Sequence, residues 1–293
     1  MYPAGFEYFK AGSISEAIAL LKRYGDDAKL LAGGQSLVPM MKLRVARPKY
    51  LIDIHRIADL NYIREEVGQI RIGAMTRHVE IEESPLIGDR LPMLQEAAGE
   101  IGDTQVRNRG TMGGGLVEAD PCCDYGPVVL ALNAQMRCVG VNGERLIPAA
   151  EFFIFAYTTA LQPDEILTEI VFPTPRHNGA GVYLKLEKVA GDFAIASAAV
   201  QLILAANGAC AEIGIGVAGG ASVPQKGEKV EALLRGKTIA PALLDEAGRL
   251  IQEGAEPIED MRGSAAYKKK ALGAVLRRAN IESLRRAEAK RSR

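Results

Sequence analysis

The stretch Leu30–Met41, LLAGGQSLVPMM, sets the reading of the chain. Leu30, Leu31 and Ala32 form an apolar, strand-like run. Gly33 and Gly34 remove two side chains, and Ser36 stands where a helix N-cap is expected. Leu37, Met40 and Met41 then recur at helical spacing. Strand, bare turn and helix start present free backbone N–H groups to an anion. A tight turn that binds nothing has the same local pattern, so the stretch gains meaning only with a partner elsewhere.

That partner is RNRGTMGGGLVEADPCCD, Arg107–Asp124, where Thr111 precedes Gly113, Gly114 and Gly115. One glycine loop can hold one phosphate edge, and two that converge can enclose a pyrophosphate. Neither loop has the G-x-G-x-x-G or Walker spacing, which leaves a dinucleotide site of another architecture.

Around these loops the sequence reads as separate units. SISEAIALLKRYG is a helix with Ser13 and Glu16 as a capping box and Gly25 as its stop. KLLAGG and KYLIDI are strands on either side of the first loop, so the opening residues form a small α/β unit. From Ile57 the texture changes: IREEVGQIRIGAMT alternates like a half-buried hairpin, LPMLQEAAGEIG is helical, GPVVLALN and AQMRCVGV are helix then strand, and ILTEIVFP is a further strand. Pro173, Pro175 and Gly179 mark a linker. GVYLKLEKV, AIASAAVQLILAA and ACAEIGIGVAGGA then read as three strands, followed by helices at KGEKVEALLRG, PALLDEAGRLIQEG and from Ser264 onward.

Composition narrows the function. The chain has 293 residues with 36 basic and 36 acidic side chains, so no global field draws it to nucleic acid or membrane. No apolar run reaches the roughly 20 residues of a membrane span. MYPAGFEYFKAGS lacks a signal-peptide pattern, and the expected location is cytoplasmic. Four cysteines without C-x2-C, and His55, His78 and His177 without ligand spacing, give no iron–sulfur or zinc site. A redox role therefore needs an organic cofactor or a group on another chain. Asp120 and Asp124 read either as a metal pair or as loop-capping and ribose-binding carboxylates. Cys122 and Cys123 read as packing residues, with a vicinal disulfide or reactive thiol as the other reading. The basic stretch Arg262–Arg293 carries Ala271, Leu272, Val275, Leu276 and Ala279 as an apolar stripe, the mark of a docked amphipathic helix.

AGGQSLVPMMKLR, IGAMT, QVRNRGTMGGGLVEADP and YTTALQPDEILTEI together resemble the flavin-binding medium subunits of molybdenum hydroxylases, of the carbon monoxide dehydrogenase and xanthine dehydrogenase type. The resemblance runs from about Phe6 to about Tyr267. It implies an α+β chain. Residues 1–175 would be a two-subdomain FAD-binding domain of the vanillyl-alcohol oxidase / p-cresol methylhydroxylase type, divided into about 1–56 and 57–175. Residues 179–293 would be a C-terminal α+β domain with a three-stranded antiparallel sheet and helices.

Carried over residue by residue, the resemblance makes Ala32, Gly33, Gly34, Gln35, Ser36 and Leu37 the first pyrophosphate loop, and Thr111, Gly113, Gly114 and Gly115 the second. Ile101 becomes an apolar flavin contact and Asp124 the ribose carboxylate. Leu167 and Lys185 match further flavin-site positions, and Asp192 an acid near the ring. Lys185 is then a cation that favours reduced, anionic flavin; by spacing alone it is a strand-end lysine in solvent. Gln35 stands where relatives usually carry histidine, and Gly115 where they usually carry asparagine, although Gly115 keeps its N–H for a phosphate.

The function so implied is that of an FAD-carrying electron-transfer subunit. It would bind FAD non-covalently, take electrons from [2Fe-2S] clusters of a small subunit that serves a large molybdenum-cofactor subunit, and pass them to an external acceptor, within a dimer of heterotrimers. A stand-alone flavin reductase of the same fold and a non-catalytic nucleotide-binding module are the rival readings.

Overall fold

A computed structural model describes residues 2–176 and 178–291, so His177 and the last two residues of the basic stretch lie outside it. The chain opens with β1 (Glu7–Lys10), α1 (Ile14–Tyr24), β2 (Ala28–Leu31), α2 (Leu37–Lys42) and β3 (Tyr50–Asp53). The three strands form a parallel sheet in the order β1-β3-β2. α1 starts as its sequence expects, with the Ser13 hydroxyl accepting from the Glu16 N–H. The Glu16 carboxylate accepts from the Gly12 N–H, one residue earlier than a standard capping box. Ala17, Ile18 and Leu21 bury one face of this helix against the sheet.

The second unit begins with β4 (Ile63–Glu66) and β5 (Gln69–Gly73). Six short helices follow: α3 (His78–Glu82), α4 (Pro85–Arg90), α5 (Pro92–Gly99), α6 (Thr104–Arg107), α7 (Met112–Glu118) and α8 (Tyr125–Ala131). Then come β6 (Gln135–Gly140), β7 (Gly143–Pro148), α9 (Ala149–Phe152), the small hairpin β8 (Phe153–Phe155) and β9 (Thr158–Thr159), and β10 (Ile166–Pro173). The antiparallel sheet runs β4-β5-β10-β6-β7. One face carries Ile72, Ile170, Met136 and Ile147, all buried beneath the helices. The other carries Arg64, Arg71 and Arg137 around the buried Glu169.

The last unit contains β11 (Ala180–Leu186), β12 (Ala196–Leu204), β13 (Cys210–Ala218), β14 (Gln225–Lys226), α10 (Glu228–Leu234), α11 (Pro241–Glu253) and α12 (Ala265–Arg291). The sheet has four strands, not three: β14 adds two residues to the edge of β13. So short a strand has no periodicity to read.

Register explains why this sheet is apolar on both sides. Val182, Val200 and Ile215 align across it and join α11 and α12 in one core, whereas Tyr183 and Ala199 align on the opposite face and belong to the core of α5 and α8. α8 lies close enough to β13 that a Cβ on Gly214 would sit 2.0 Å from the Ala131 oxygen. Glu96 on α5 accepts from the Tyr183 N–H at 2.9 Å and pairs with Arg286 of α12 at 2.6 Å. The C-terminal sheet is thus clasped between the helices of the second unit and α12.

Candidate functional site

The two glycine loops meet. β2 is an edge strand, and the chain leaves it at Ala32 to run against the residues that enter the second loop. A Cβ on Gly33 would lie 2.2 Å from the Arg109 oxygen and 2.7 Å from the Gly110 Cα, so only glycine allows that approach. Gly34 has φ +75°, the left-handed region that side chains disfavour. An ideal Cβ on Gly114 would lie 3.7 Å from the Ala32 Cβ.

The loops differ in what they offer a ligand. Among the described residues, the N–H groups of Gly33, Gly34, Gln35, Ser36 and Leu37 have no protein acceptor; the first amide after them that does is Val38, bonded to the Gly34 oxygen. Five consecutive unclaimed donors on a partly exposed loop fit a multiply charged anion. Gln35 is exposed, and its amide donates to the Gly33 oxygen at 3.2 Å.

In the second loop the N–H groups are already used. Met112 donates to the Thr76 oxygen, Gly113 to the Ala74 oxygen, Gly114 to the Thr111 hydroxyl and Gly115 to the Thr111 oxygen. The expectation that Gly115 keeps a free N–H is therefore corrected, because helix α7 has already closed over that group. What this loop provides is the Thr111 hydroxyl hydrogen and room for close approach. A Cβ on Gly113 would strike Ala74 at 2.6 Å, whereas one on Gly115 meets only the Tyr125 and His78 rings at 3.8 and 3.9 Å.

Ser36 stands at the N-cap position of α2, as expected, but its side chain makes no capping bond. Its backbone is already helical, at φ −103° and ψ −50°. Its hydroxyl instead donates to the Glu118 Oε2 at 2.6 Å, tying the first loop to the far end of α7. Behind the second loop, His78 is buried and its Nδ1 lies 3.0 Å from the Tyr125 hydroxyl. Burial, and then the nearby Arg107 charge, push the imidazole down to about 4, so it is neutral near pH 7.

Further expected site residues gather in a second constellation. The Lys185 ammonium, on a side chain only 1% exposed, donates to the Glu100 oxygen (2.6 Å) and the Asp192 oxygen (3.0 Å), and pairs with Asp124 (3.2 Å) and Glu187 (3.0 Å). It is neither a solvated strand end nor an uncompensated cation. Asp124 also accepts from the Tyr183 hydroxyl at 2.6 Å. Burial raises its carboxyl to about 6, against the pull of Lys185 and Tyr183.

Ile101 is half-buried beside this group, and a Cβ on Gly191 would come within 2.5 Å of the Gly102 oxygen. Asp192 is engaged bidentately by Arg262 at 2.7 and 3.1 Å, and that guanidinium lies 5.5 Å from the Phe193 ring. Tyr125 joins the constellations, since it follows Asp124 and packs beside Gly115. Leu167 stands apart, 4% exposed in the core, next to Thr168, whose oxygen accepts from the Ala74 N–H.

Asp120 serves its own loop by accepting from the Cys122 N–H and the Tyr157 hydroxyl. Both adjacent cysteines are free thiols; burial raises Cys122 to about 11 and Cys123 further, which makes them poor thiolates. Glu118, Tyr183, Glu187 and Arg262 were not picked out by their sequence positions. Tyr183 and Glu187 had one available signal, since they stand two residues either side of Lys185 and share its strand face.

These donor sets suit a flavin dinucleotide: unclaimed amides for the pyrophosphate, and a buried carboxylate for a hydroxyl. Residues 4–175 match the family model described as the FAD binding domain in molybdopterin dehydrogenase, and residues 182–283 that of the CO dehydrogenase flavoprotein C-terminal domain. The carbon monoxide dehydrogenase medium chain of Hydrogenophaga pseudoflava is 41% identical over 279 residues, covering 95% of this chain and 97% of that one. The alpha subunit of the 6-hydroxypseudooxynicotine dehydrogenase complex of Paenarthrobacter nicotinovorans is 36% identical, covering 98% and 97%. A solved carbon monoxide dehydrogenase from H. pseudoflava, lacking the Mo-pyranopterin moiety, superposes with TM-score 0.96 at 42% identity over 98% of this chain and 99% of its own. With both halves matched in order and the alignment running nearly end to end, this chain belongs to the FAD-binding medium subunits of the molybdenum hydroxylases, a family of oxidoreductase subunits.

Proposed function

We propose that this chain is the electron-transfer subunit of a three-subunit molybdenum hydroxylase, taking electrons from [2Fe-2S] clusters on a small subunit and delivering them to an external acceptor. The observation that carries this reading is the run of five unclaimed N–H groups from Gly33 to Leu37, held against Thr111–Gly115. Each charge-assisted bond from such a donor contributes about 1.5–3 kcal/mol, so several hold a pyrophosphate without an arginine clamp.

In this reading the Thr111 hydroxyl adds a donor, and the side chains missing at Gly114 and Gly115 let the phosphates approach. Asp124 has its Oδ1 engaged by Tyr183 and Lys185, which orients the carboxylate toward a ribose hydroxyl. Ile101 provides apolar surface, and Lys185 holds the Glu100 turn and the Asp192 loop in one arrangement. FAD, when bound, accepts electrons singly and gives them up singly or in pairs. Substrate choice is assigned to the large subunit, because medium chains this similar serve complexes named for carbon monoxide and for 6-hydroxypseudooxynicotine.

Reconstitution tests the assignment. The chain alone should bind FAD and show at most diaphorase-like electron transfer to a dye. Reduction of its flavin by an organic substrate should require the small and large subunits. Stopped-flow reduction of the lone chain by such a substrate, at a catalytic rate, would establish the stand-alone reductase instead.

A further inference from the structure

Ser36 stands among the five unclaimed amides, and its hydroxyl donates to Glu118 across 82 positions of sequence. Glu118 is the last residue of α7, the helix whose first turn is the second glycine loop. The bond therefore fastens one phosphate loop to the other. It also places a carboxylate beside the proposed pyrophosphate, at the helix end where negative charge is disfavoured. The groups facing it are Ser36 from the first loop, Asp120 from its own loop and the Tyr157 phenol held by Asp120 between β8 and β9. None of these is a cation. Burial and Asp120 raise the proton affinity of Glu118, and the Ser36 bond lowers it.

We propose that Glu118 is a positioning residue for FAD, fastening the first glycine loop to the second through Ser36 and taking up a solvent proton as the pyrophosphate binds. The inference rests on the placement of FAD given under Proposed function. A protonated carboxyl still accepts from the Ser36 hydroxyl, so the clasp survives in both states while the repulsion does not. Two phosphate charges nearby raise the proton affinity of Glu118 further. FAD binding and proton uptake are then linked: affinity is highest at low pH and falls as pH rises through the range between the free and bound proton affinities.

The experiment is FAD titration of the flavin-free full chain, followed by flavin fluorescence across a pH series from the ordinary carboxylate range to the mildly alkaline; the charge is worth about tenfold in Kd. The variants are Glu118→Gln, Glu118→Ala, Ser36→Ala and the double alanine, each checked for fold by circular dichroism and thermal melting. Glu118→Gln keeps the acceptor and removes the charge; the ratio of the parent's Kd to its Kd should rise with pH, to about tenfold at the alkaline end. Glu118→Ala should bind about two- to tenfold more weakly than Glu118→Gln at every pH, the value of one hydrogen bond. Ser36→Ala should weaken the parent but add nothing to Glu118→Ala. Asp124 is present in every variant, so its own titration cancels. If Glu118→Ala matches Glu118→Gln, or if the ratio of the parent's Kd to that of Glu118→Gln does not change with pH, the proposal is overturned while FAD binding stands. A parent chain that binds no FAD refutes the functional reading and this inference together.

Discussion

Replacing Lys185 by methionine keeps the reach of the side chain and removes its charge, which leaves Asp124 without a cation in a site only 8% exposed. Breaking one side of a buried ion pair costs about 3–5 kcal/mol, because the remaining charge is stranded. In the parent, the Asp124 carboxyl stands at about 6 against an ordinary 3.8. Its folded value is raised, so the associated stability is fully present below 3.8 and is lost as pH rises through about 6. The difference corresponds to about 3 kcal/mol.

Lys185 is the largest influence opposing that rise, so its removal pushes the Asp124 carboxyl higher still. At about pH 8 the variant should then be about 3–5 kcal/mol less stable than the parent. At about pH 5 Asp124 is neutral in both chains, and the loss is confined to the bonds with the Glu100 and Asp192 oxygens and the pair with the less buried Glu187, a penalty of about 1–2 kcal/mol. Guanidinium unfolding at the two pH values, with slopes checked for equality, reads both numbers. A stability difference that is the same at both pH values, or smaller than about 1 kcal/mol at the alkaline one, would refute a buried Asp124–Lys185 pair.

Three further outcomes are expected. Gly34→Val should abolish flavin absorbance and cost about 1–3 kcal/mol, since it forces a branched residue to φ +75° with Leu31 and Val38 already 3.2 Å from a Cβ; titration and circular dichroism would separate the two effects. Gly115→Asn should fold and retain FAD, because a Cβ there meets nothing closer than 3.8 Å, and a thermal melt shifted down by more than about 5 °C would contradict this. Acid precipitation should leave the yellow colour in the supernatant, as Gln35 occupies the loop position where a histidine tether would stand; flavin in the denatured pellet would point to a covalent bond, with the cysteines as the next attachment sites to test.

Elements with a period or a punctuated end were legible in the sequence. α1 has its Ser13 cap and Gly25 stop, the β4–β5 hairpin alternates, and β11, β12 and β13 lie where their runs place them. Three edge strands, β1, β7 and β14, were not legible. β7 is exposed at every position except Ile147 and Ala149 follows it directly, so no buried face writes a pattern into GERLIP. β1 likewise has no buried residue and is defined by its pairing with β3. The apolar character of β12 gave its burial but not its cause, which is a second layer of helices supplied by residues a hundred positions earlier.

The candidate site divides along the same physical line. Glycine loops are visible because the absence of side chains is itself a local signal, and the chain-wide resemblance then says what approaches them. What each loop donates depends on which N–H groups the surrounding fold has already claimed, and Ala74 and Thr76 claim those of Gly113 and Met112 from 36 or more residues away. Lys185 shows the same dependence more sharply. Read locally it is a strand lysine facing water; in the fold it is a buried ammonium bound to oxygens of Glu100, Asp124, Glu187 and Asp192. Four oxygens around one cation make a structural hub, so the charge at Lys185 is spent on joining the Asp124 loop to β11. Any tuning of the flavin by this lysine must then act through the positions of Asp124 and the Glu100 turn, which is why its replacement should register in unfolding free energy before it registers in flavin chemistry.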